Sequence, residues 1–415
     1  MINYNELVPH DSFVGRYLVY MQSQETASAF DWWCALWCLS AACARTTYVN
    51  RPRAPVYLNM FVILVGDSGV VRKTTSVHIA ARVVRSMLAH YPDIGMLDAK
   101  LTPEKLDLIL HTRTATHDSA QMCIAVPELA VFMGTERYIA HMPTLLTDLY
   151  DCPDERFGGG TIARGAVQQR NVWIHFLSAS TPIWLLKTVN PNVVEGGFTS
   201  RCYFVNASEP KHRVAWPMAP DVSLYKDLLE DVRIIAAEAR SRPPVQVEQS
   251  ALGAFTNWYT NRQRSIDPYK QSFEAREDAH VLRVAALISI NDGQWEIREQ
   301  HINTAIALIT DLKESSGNIF ELATARSKYA TALDALRMQL ISSGMDPVPR
   351  GRLFMRCKSR MDHQEFMELL DVLQELGAIQ RFEVSGPRGR PTDLIRGTRK
   401  LLQHGLGDQV LARFG

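Results

Sequence analysis

The chain reads as an α/β protein in which a mostly parallel, five-stranded sheet is covered by helices on both faces. Three observations lead to that class. An apolar, β-rich run from Met60 to Val65 breaks abruptly into G-D-S-G-V-V-R-K-T-T, Gly66 to Thr75, and a helical pattern follows. From about 55 to 208, strand-like and helix-like runs alternate, as they do when parallel strands are joined by crossing helices. Charged residues make up 21% and hydrophobic residues 46% of the 415 positions, which suits a soluble protein with a large core in two or three domains.

Taken in order, residues 1–54 read as helical. Phe30, Trp32, Trp33 and Trp37 recur at helix-compatible spacing, and a helix packed on the next domain accounts for them better than an exposed binding surface. Strands are predicted near 57–65, 93–98, 121–127, 172–179 and 201–206, and helices near 73–89, 102–112, 139–150 and 181–188, which makes 55–208 the core. The proline-rich, polar stretch 209–220 reads as a linker. Apolar periodicity in Asp278–Ile290 and His301–Leu312 then gives a helical region, so that 209–320 forms linker and lid. Residues 321–415 change character. A helix striped with Phe366, Leu369, Leu370, Leu373 and Leu376 stops at Gly377, and two β-prone pieces flank S-G-P-R-G-R-P. Helix, helix and basic hairpin in succession is the pattern of a winged helix.

Composition also excludes. A net charge of +1 provides no global field for a polyanion, so any nucleic-acid surface must be local. The seven cysteines form no C-x-x-C pair or His/Cys cluster at zinc spacing, and Cys34, Cys38 and Cys43 read as packed thiols. No secretory signal opens the sequence and no uninterrupted apolar run reaches about 18 residues. A cytoplasmic protein with no membrane partner is expected.

The stretch Gly66–Thr75 carries the chemistry. A strand feeding a glycine-containing loop that opens a helix turns backbone N–H groups and the helix N-terminus toward one point, which suits phosphate. The common form of this loop is G-x-x-x-x-G-K-[ST]. Here Lys73-Thr74 is intact, the loop Gly66, Asp67, Ser68, Gly69, Val70, Val71 is one residue longer, and Arg72 stands where the second glycine would. The expected ligand is ATP, with Lys73 and the loop N–H groups, through Thr75, on its phosphates and Thr74 on Mg²⁺. One strand later, M-C-I-A-V-P-E ends in Glu128, which reads either as a group orienting the attacking water or as a solvated carboxylate. Pro127 occupies the preceding position, where many such ATPases place a metal-holding Asp. Thr181, in A-S-T-P, either reaches the γ-phosphate or caps a helix. Arg201, entering the fifth strand from G-G-F-T-S, either faces a neighbouring subunit's nucleotide or caps the sheet edge.

The order of these elements resembles the AAA+ ATPase core, above all its MCM-like helicase branch and related P-loop replication proteins of phages and plasmids. Four features carry the resemblance over roughly 55–320: the loop with Lys73-Thr74, Glu128 after an apolar strand, A-S-T-P at 179–182, and F-T-S-R-C-Y-F-V at 198–205. It implies that Thr181 is the sensor-1 residue, that Arg201 acts in trans on the next subunit, and that Arg283, in the helix around His280–Leu287, is the sensor-2 arginine of a lid. It also implies that a hairpin within Phe157–Arg170 enters the central pore of a ring. Arg164 would then grip the translocated strand, with Gln168 and Arg170 beside it.

Local charge points to DNA a second time. Arg350, Arg352, Arg356, Lys358 and Arg360 precede the striped helix, and Arg388, Arg390, Arg396, Arg399 and Lys400 lie in or after the hairpin. The tip P-R-G-R-P resembles the core of an AT-hook, in which two arginines enter a narrow minor groove, although a wing turn needs glycine and proline equally. The sequence thus leads to an oligomeric ATP-dependent helicase-like motor on DNA in phage or mobile-element replication, with a primase or loader as a further partner. The alternative is a nucleotide-gated DNA-binding switch or loader with little turnover, which Arg72 and Pro127 favour.

Overall fold

The structure is a computed structural model. It describes residues 2–133, 141–158, 167–182, 184–185, 197–216, 221–265, 268–359, 361–385, 391–402, 406–411 and 413. Contacts divide the chain into two compact units, residues 1–317 and 318–415. The helices before 55 and those between 222 and 291 therefore share one body with the sheet.

The first unit is built on a sheet of five strands: β1 Phe61–Val65, β2 Ile94–Leu97, β3 Gln121–Val126, β4 Trp173–Ser180 and β5 Cys202–Asn206. Their order across the sheet is β2-β3-β4-β1-β5, and every neighbouring pair is parallel. Parallel strands need covering on both faces, and β1, β3 and β4 are buried along their whole length. Alternation sorts their side chains. Val62, Leu64, Leu177, Tyr203 and Val205 join the core formed with the helices α1 Ser28–Cys43, α2 Lys73–Leu88, α3 Val222–Ser241 and α4 Glu277–Asn291. On the other face Phe61 meets Tyr150 edge-on at 4.9 Å, and Phe176 meets Phe132 at 5.2 Å.

Helix α1 is apolar on nearly every side, with Asp31 and Ser40 its buried polar residues, as befits a helix enclosed by the core. Phe30, Trp32, Trp33 and Trp37 are all inaccessible, with Trp33 against Tyr203 at 5.3 Å, so these rings are core and not surface. Cys34, Cys38 and Cys43 are buried free thiols, as are the other cysteines. Among the described residues no helix is long and apolar enough to cross a membrane.

Before β4 the chain forms an antiparallel hairpin, Glu155–Gly158 with Val167–Arg170. Residues 159–166, Arg164 among them, lie outside the described residues.

The second unit holds a three-stranded antiparallel sheet, in which Pro391–Gly397 lies between Val348–Pro349 and Ile379–Ser385. Its core is made by Leu353, Phe366, Leu369, Leu370, Leu373, Ile379 and Ile395. The helix His363–Glu375 starts with a reciprocal capping box between Asp362 and Glu365. It stops where Gly377 turns to φ +67°, a conformation glycine adopts without steric cost. Leu376, at the end of the sequence stripe, is only partly buried. Arg388 and Arg390 lie outside the described residues.

Candidate functional site

Strand β1 delivers its loop to a crevice. The connection leaving β1 leads toward one edge of the sheet, to β2, while that leaving β4 leads toward the other, to β5. Adjacent strands whose connections diverge leave a gap at their C-terminal ends, the usual place for a ligand in open α/β sheets. The register puts Val65 level with Ser180 and Asn206, so the ends of β1, β4 and β5 stand side by side. Gly66 N–H donates to Ser180 O at 3.3 Å, and Ala207 N–H donates to Val65 O at 3.0 Å, which fixes the start of the loop.

Close approach makes Gly66 a glycine. A Cβ there would lie 2.6 Å from both Ala207 O and Val71 Cγ2. Asp67, Ser68, Gly69 and Val70 form the exposed crest of the loop, with Gly69 at φ +77°, and buried Val71 returns it to the core. Arg72 follows at φ 47°, ψ 39°, immediately before α2. A left-handed conformation costs a residue with a Cβ on the order of 1–2 kcal/mol, so the fold holds this arginine against its own preference. The α2 N-terminus receives no side-chain cap, which leaves its first N–H groups turned toward the loop.

Lys73 closes the arrangement from inside. Its Nζ donates to Gly66 O at 2.7 Å and Asp67 O at 2.9 Å, and the residue is nearly buried. Burial holds its pKa below the ordinary lysine value, with Asp67 acting in the opposite sense. The ammonium thus lies within the loop it would share with an anion. Thr74 is exposed in the first turn of α2, and Thr75 is half-buried.

Glu128 and Thr181 share this edge of the sheet. Val126 pairs with Ser178, so Glu128, two residues further, emerges near the level of Ser180 and is exposed. Thr181 Oγ1 accepts from Trp184 N–H at 3.3 Å, the helix-capping arrangement.

Arg201 and Arg283 lie at the opposite edge. Arg201 precedes β5, whose first residue pairs with Phe61 at the start of β1. It is buried, donating to Asp151 Oδ2 at 3.0 Å and Gly197 O at 2.9 Å, while Arg276 takes the other Asp151 oxygen at 3.1 Å. Arg283 Nε donates to Tyr57 O at 2.7 Å, and its guanidinium covers Tyr150 at 4.8 Å. The length of β1, roughly 15 Å at ~3.3 Å per residue, separates both arginines from Lys73. Contact between either one and an anion at Lys73 therefore requires a second copy of the chain or a rearrangement.

Of the residues read as DNA contacts, two in the first unit are described and both are engaged. The side chain of Gln168 bonds Glu155, and Arg170 pairs with Asp118 at 3.2 Å at the base of the hairpin, away from its tip. In the second unit Arg350 pairs with Asp393 at 2.5 Å, whereas Arg352, Arg356, Lys358, Arg396, Arg399 and Lys400 are exposed.

Other residues at the loop carry no motif in the sequence. A cleft of about 450 Å³ opens beside it, lined by Glu25, Gly69, Val70 and Arg72 on one side and Ser208–Pro210, His212 and Arg213 on the other. Arg72 Nε and Nη2 both donate to Glu25 Oε2, at 3.2 and 3.1 Å. The two walls are pinned through Lys211. Its Nζ donates to Met21 O at 2.6 Å and Asp31 Oδ2 at 2.5 Å, and its backbone N–H donates to Thr26 O at 3.0 Å. Burial raises the Asp31 carboxyl to about 6, with Lys211 pulling it down. Only the folding together of segments far apart in sequence reveals this cluster.

No protein-family model matches the sequence, and no curated protein matches it.

Proposed function

We propose that the chain is a P-loop ATPase of the AAA+ kind that works as an oligomeric ATP-dependent motor on DNA, with a winged helix as its C-terminal module. One observation carries the nucleotide-binding part. An almost buried ammonium sits in a glycine-containing loop between β1 and an uncapped helix N-terminus, at the sheet's switch point, with Glu128 and Thr181 at the same edge. Lys73 and the backbone N–H groups would hold the β- and γ-phosphates.

Mg²⁺ fits this donor set in a limited way. It commonly takes one or two protein oxygens and completes its shell with water and phosphate, and the exposed Thr74 hydroxyl supplies one. The Pro127 side chain supplies none. When bound, the ion would neutralise charge developing on the phosphates. Glu128, exposed beyond β3, would orient a water. Arg201 would complete the pocket of a neighbouring copy once released from Asp151. Phosphoryl transfer of this type depends on positioning and electrostatics, with no covalent intermediate. The exposed basic residues of the second unit favour phosphate contacts with DNA.

A second reading has its own support. Arg201 is held by Asp151 and Gly197, and Pro127 removes a metal ligand, which together favour a nucleotide-gated DNA-binding switch or loader that turns over slowly. Titration with a fluorescent ATP analogue, comparing wild type with Lys73→Ala, tests the shared premise. Binding that survives the substitution places the nucleotide elsewhere. Steady-state turnover with and without single-stranded DNA separates the two readings. Stimulated turnover abolished by Glu128→Gln supports the motor, and ATP-dependent assembly without turnover supports the switch.

A further inference from the structure

We propose that the Glu25–Arg72 ion pair is a latch that occupies the phosphate loop's guanidinium in the empty state, and that a polyphosphate anion binds by taking Arg72 from Glu25. This deepens the nucleotide-binding reading and rests on it.

Three observations lead to the latch. Arg72 is kept in a left-handed conformation at the residue before α2, which puts its side chain at the mouth of the loop. Its Nε and Nη2 converge on a single Glu25 oxygen. Glu25 is also held in place. It lies between the Met21 carbonyl and Thr26, and both of these accept hydrogen bonds from Lys211, whose ammonium is anchored on buried Asp31. The carboxylate is therefore the fixed partner, while the half-exposed guanidinium on its long stem is the movable one.

One guanidinium cannot give the same donors to Glu25 and to a phosphate. A free carboxylate beside the loop would also repel the incoming anion, so Glu25 and a triphosphate compete for one cation. The cleft lined by both residues leaves room for the guanidinium to move. Glu25 is thus a positioning residue that sets how readily the loop fills, and nothing in the local sequence around it announces that role.

The test is a double-mutant cycle with two probes, ATP and inorganic tripolyphosphate, titrated into wild type, Glu25→Gln, Arg72→Gly, the double variant and Lys73→Ala. Glycine suits the left-handed position, so Arg72→Gly keeps the loop's path. The latch predicts that Glu25→Gln tightens both probes by about three- to tenfold at low ionic strength, and that the gain disappears when Arg72 is already glycine. A gain that persists in the Arg72→Gly background reduces Glu25 to a general repulsive charge and overturns the latch. A gain for ATP but not for tripolyphosphate places Glu25 against the nucleoside and overturns it too. Binding that is lost in Lys73→Ala but indifferent to Glu25→Gln removes the latch and leaves the nucleotide site standing. Absence of binding in every variant removes both.

Discussion

Lowering the pH from about 8 to about 5 should weaken the first unit through two buried histidines, one of which fixes the strand that feeds the Gly66–Arg72 loop. His175 is stacked between Trp37, at 4.7 Å and 9°, and Trp173, at 5.0 Å and 25°. Its Nδ1 accepts from Met60 N–H at 3.0 Å, and Nε2–H donates to Trp37 O at 2.8 Å, so the neutral ring satisfies both neighbours. A second ring proton would face the Met60 N–H with no acceptor. Burial lowers this histidine's pKa to about 3, and His280, among Arg283, Arg276 and Arg201, is lowered to about 3 as well.

The folded pKa lies below the unfolded value of about 6.5, so the stabilisation is complete above pH 6.5 and is lost as the pH falls toward 3. At about pH 5 the loss is roughly 2 kcal/mol per histidine, or about 4 kcal/mol for the pair, a large part of a typical stability of about 5–15 kcal/mol. Asp31 acts in the other direction. Its folded pKa is raised to about 6, so its contribution is lost as the pH rises through that value. On going down to about pH 5 it returns roughly 1 kcal/mol. Urea unfolding followed by tryptophan emission measures the sum, and His175→Gln isolates one term. The glutamine amide can still accept from Met60 and donate to Trp37, but it does not titrate. The variant should therefore lose about 2 kcal/mol less than wild type between the two pH values. Equal losses in the two proteins would refute this account of His175.

Three further outcomes are expected. Gly66→Ala places a methyl 2.6 Å from Ala207 O and Val71 Cγ2, and should cost about 1–3 kcal/mol in thermal unfolding while weakening ATP-analogue binding in titration. Lys211→Met leaves Asp31 buried without its counter-charge, and should destabilise the unit by up to about 3–5 kcal/mol at neutral pH, with partial recovery in acid as Asp31 protonates; urea titrations at two pH values read both effects. Asp362→Ala removes the capping box of the second unit and should cost about 1 kcal/mol there. Nucleotide binding in the first unit should be unchanged, so a calorimetric melt alongside an ATP titration separates the two.

Much of the sheet is legible because β1, β3 and β4 are buried on both faces and therefore read as short apolar runs between breakers. The five predicted strands correspond to β1–β5, with ends differing by up to four residues. The largest difference is at β1, where Val56–Tyr57 splits off to pair with Tyr48–Val49. The aromatic rings of α1 were legible as core for the same reason: a helix apolar on nearly every side has no broad face to give to water. The loop from Gly66 to Lys73 was legible because glycine, lysine and a following helix are local features. The distribution of the arginines was not. Arg201 and Arg283 are 82 positions apart in the chain and meet through Asp151, Tyr150 and Tyr203 at the edge of the sheet away from Lys73. Neither Gln168 nor Arg170 announces in sequence that a carboxylate from elsewhere already engages it.

The sequence by itself determined where most strands and helices lie and where the glycine-containing loop before Lys73 would form, since burial pattern and backbone preference act over a few residues. Only the tertiary structure decided the strand order that opens the crevice beside β1, the placement of Arg201 and Arg283 at the far edge, and the pairing of Glu25 with Arg72. Those depend on which distant groups the packed core brings within reach of one another, and hydrogen bonds and ion pairs act only at contact.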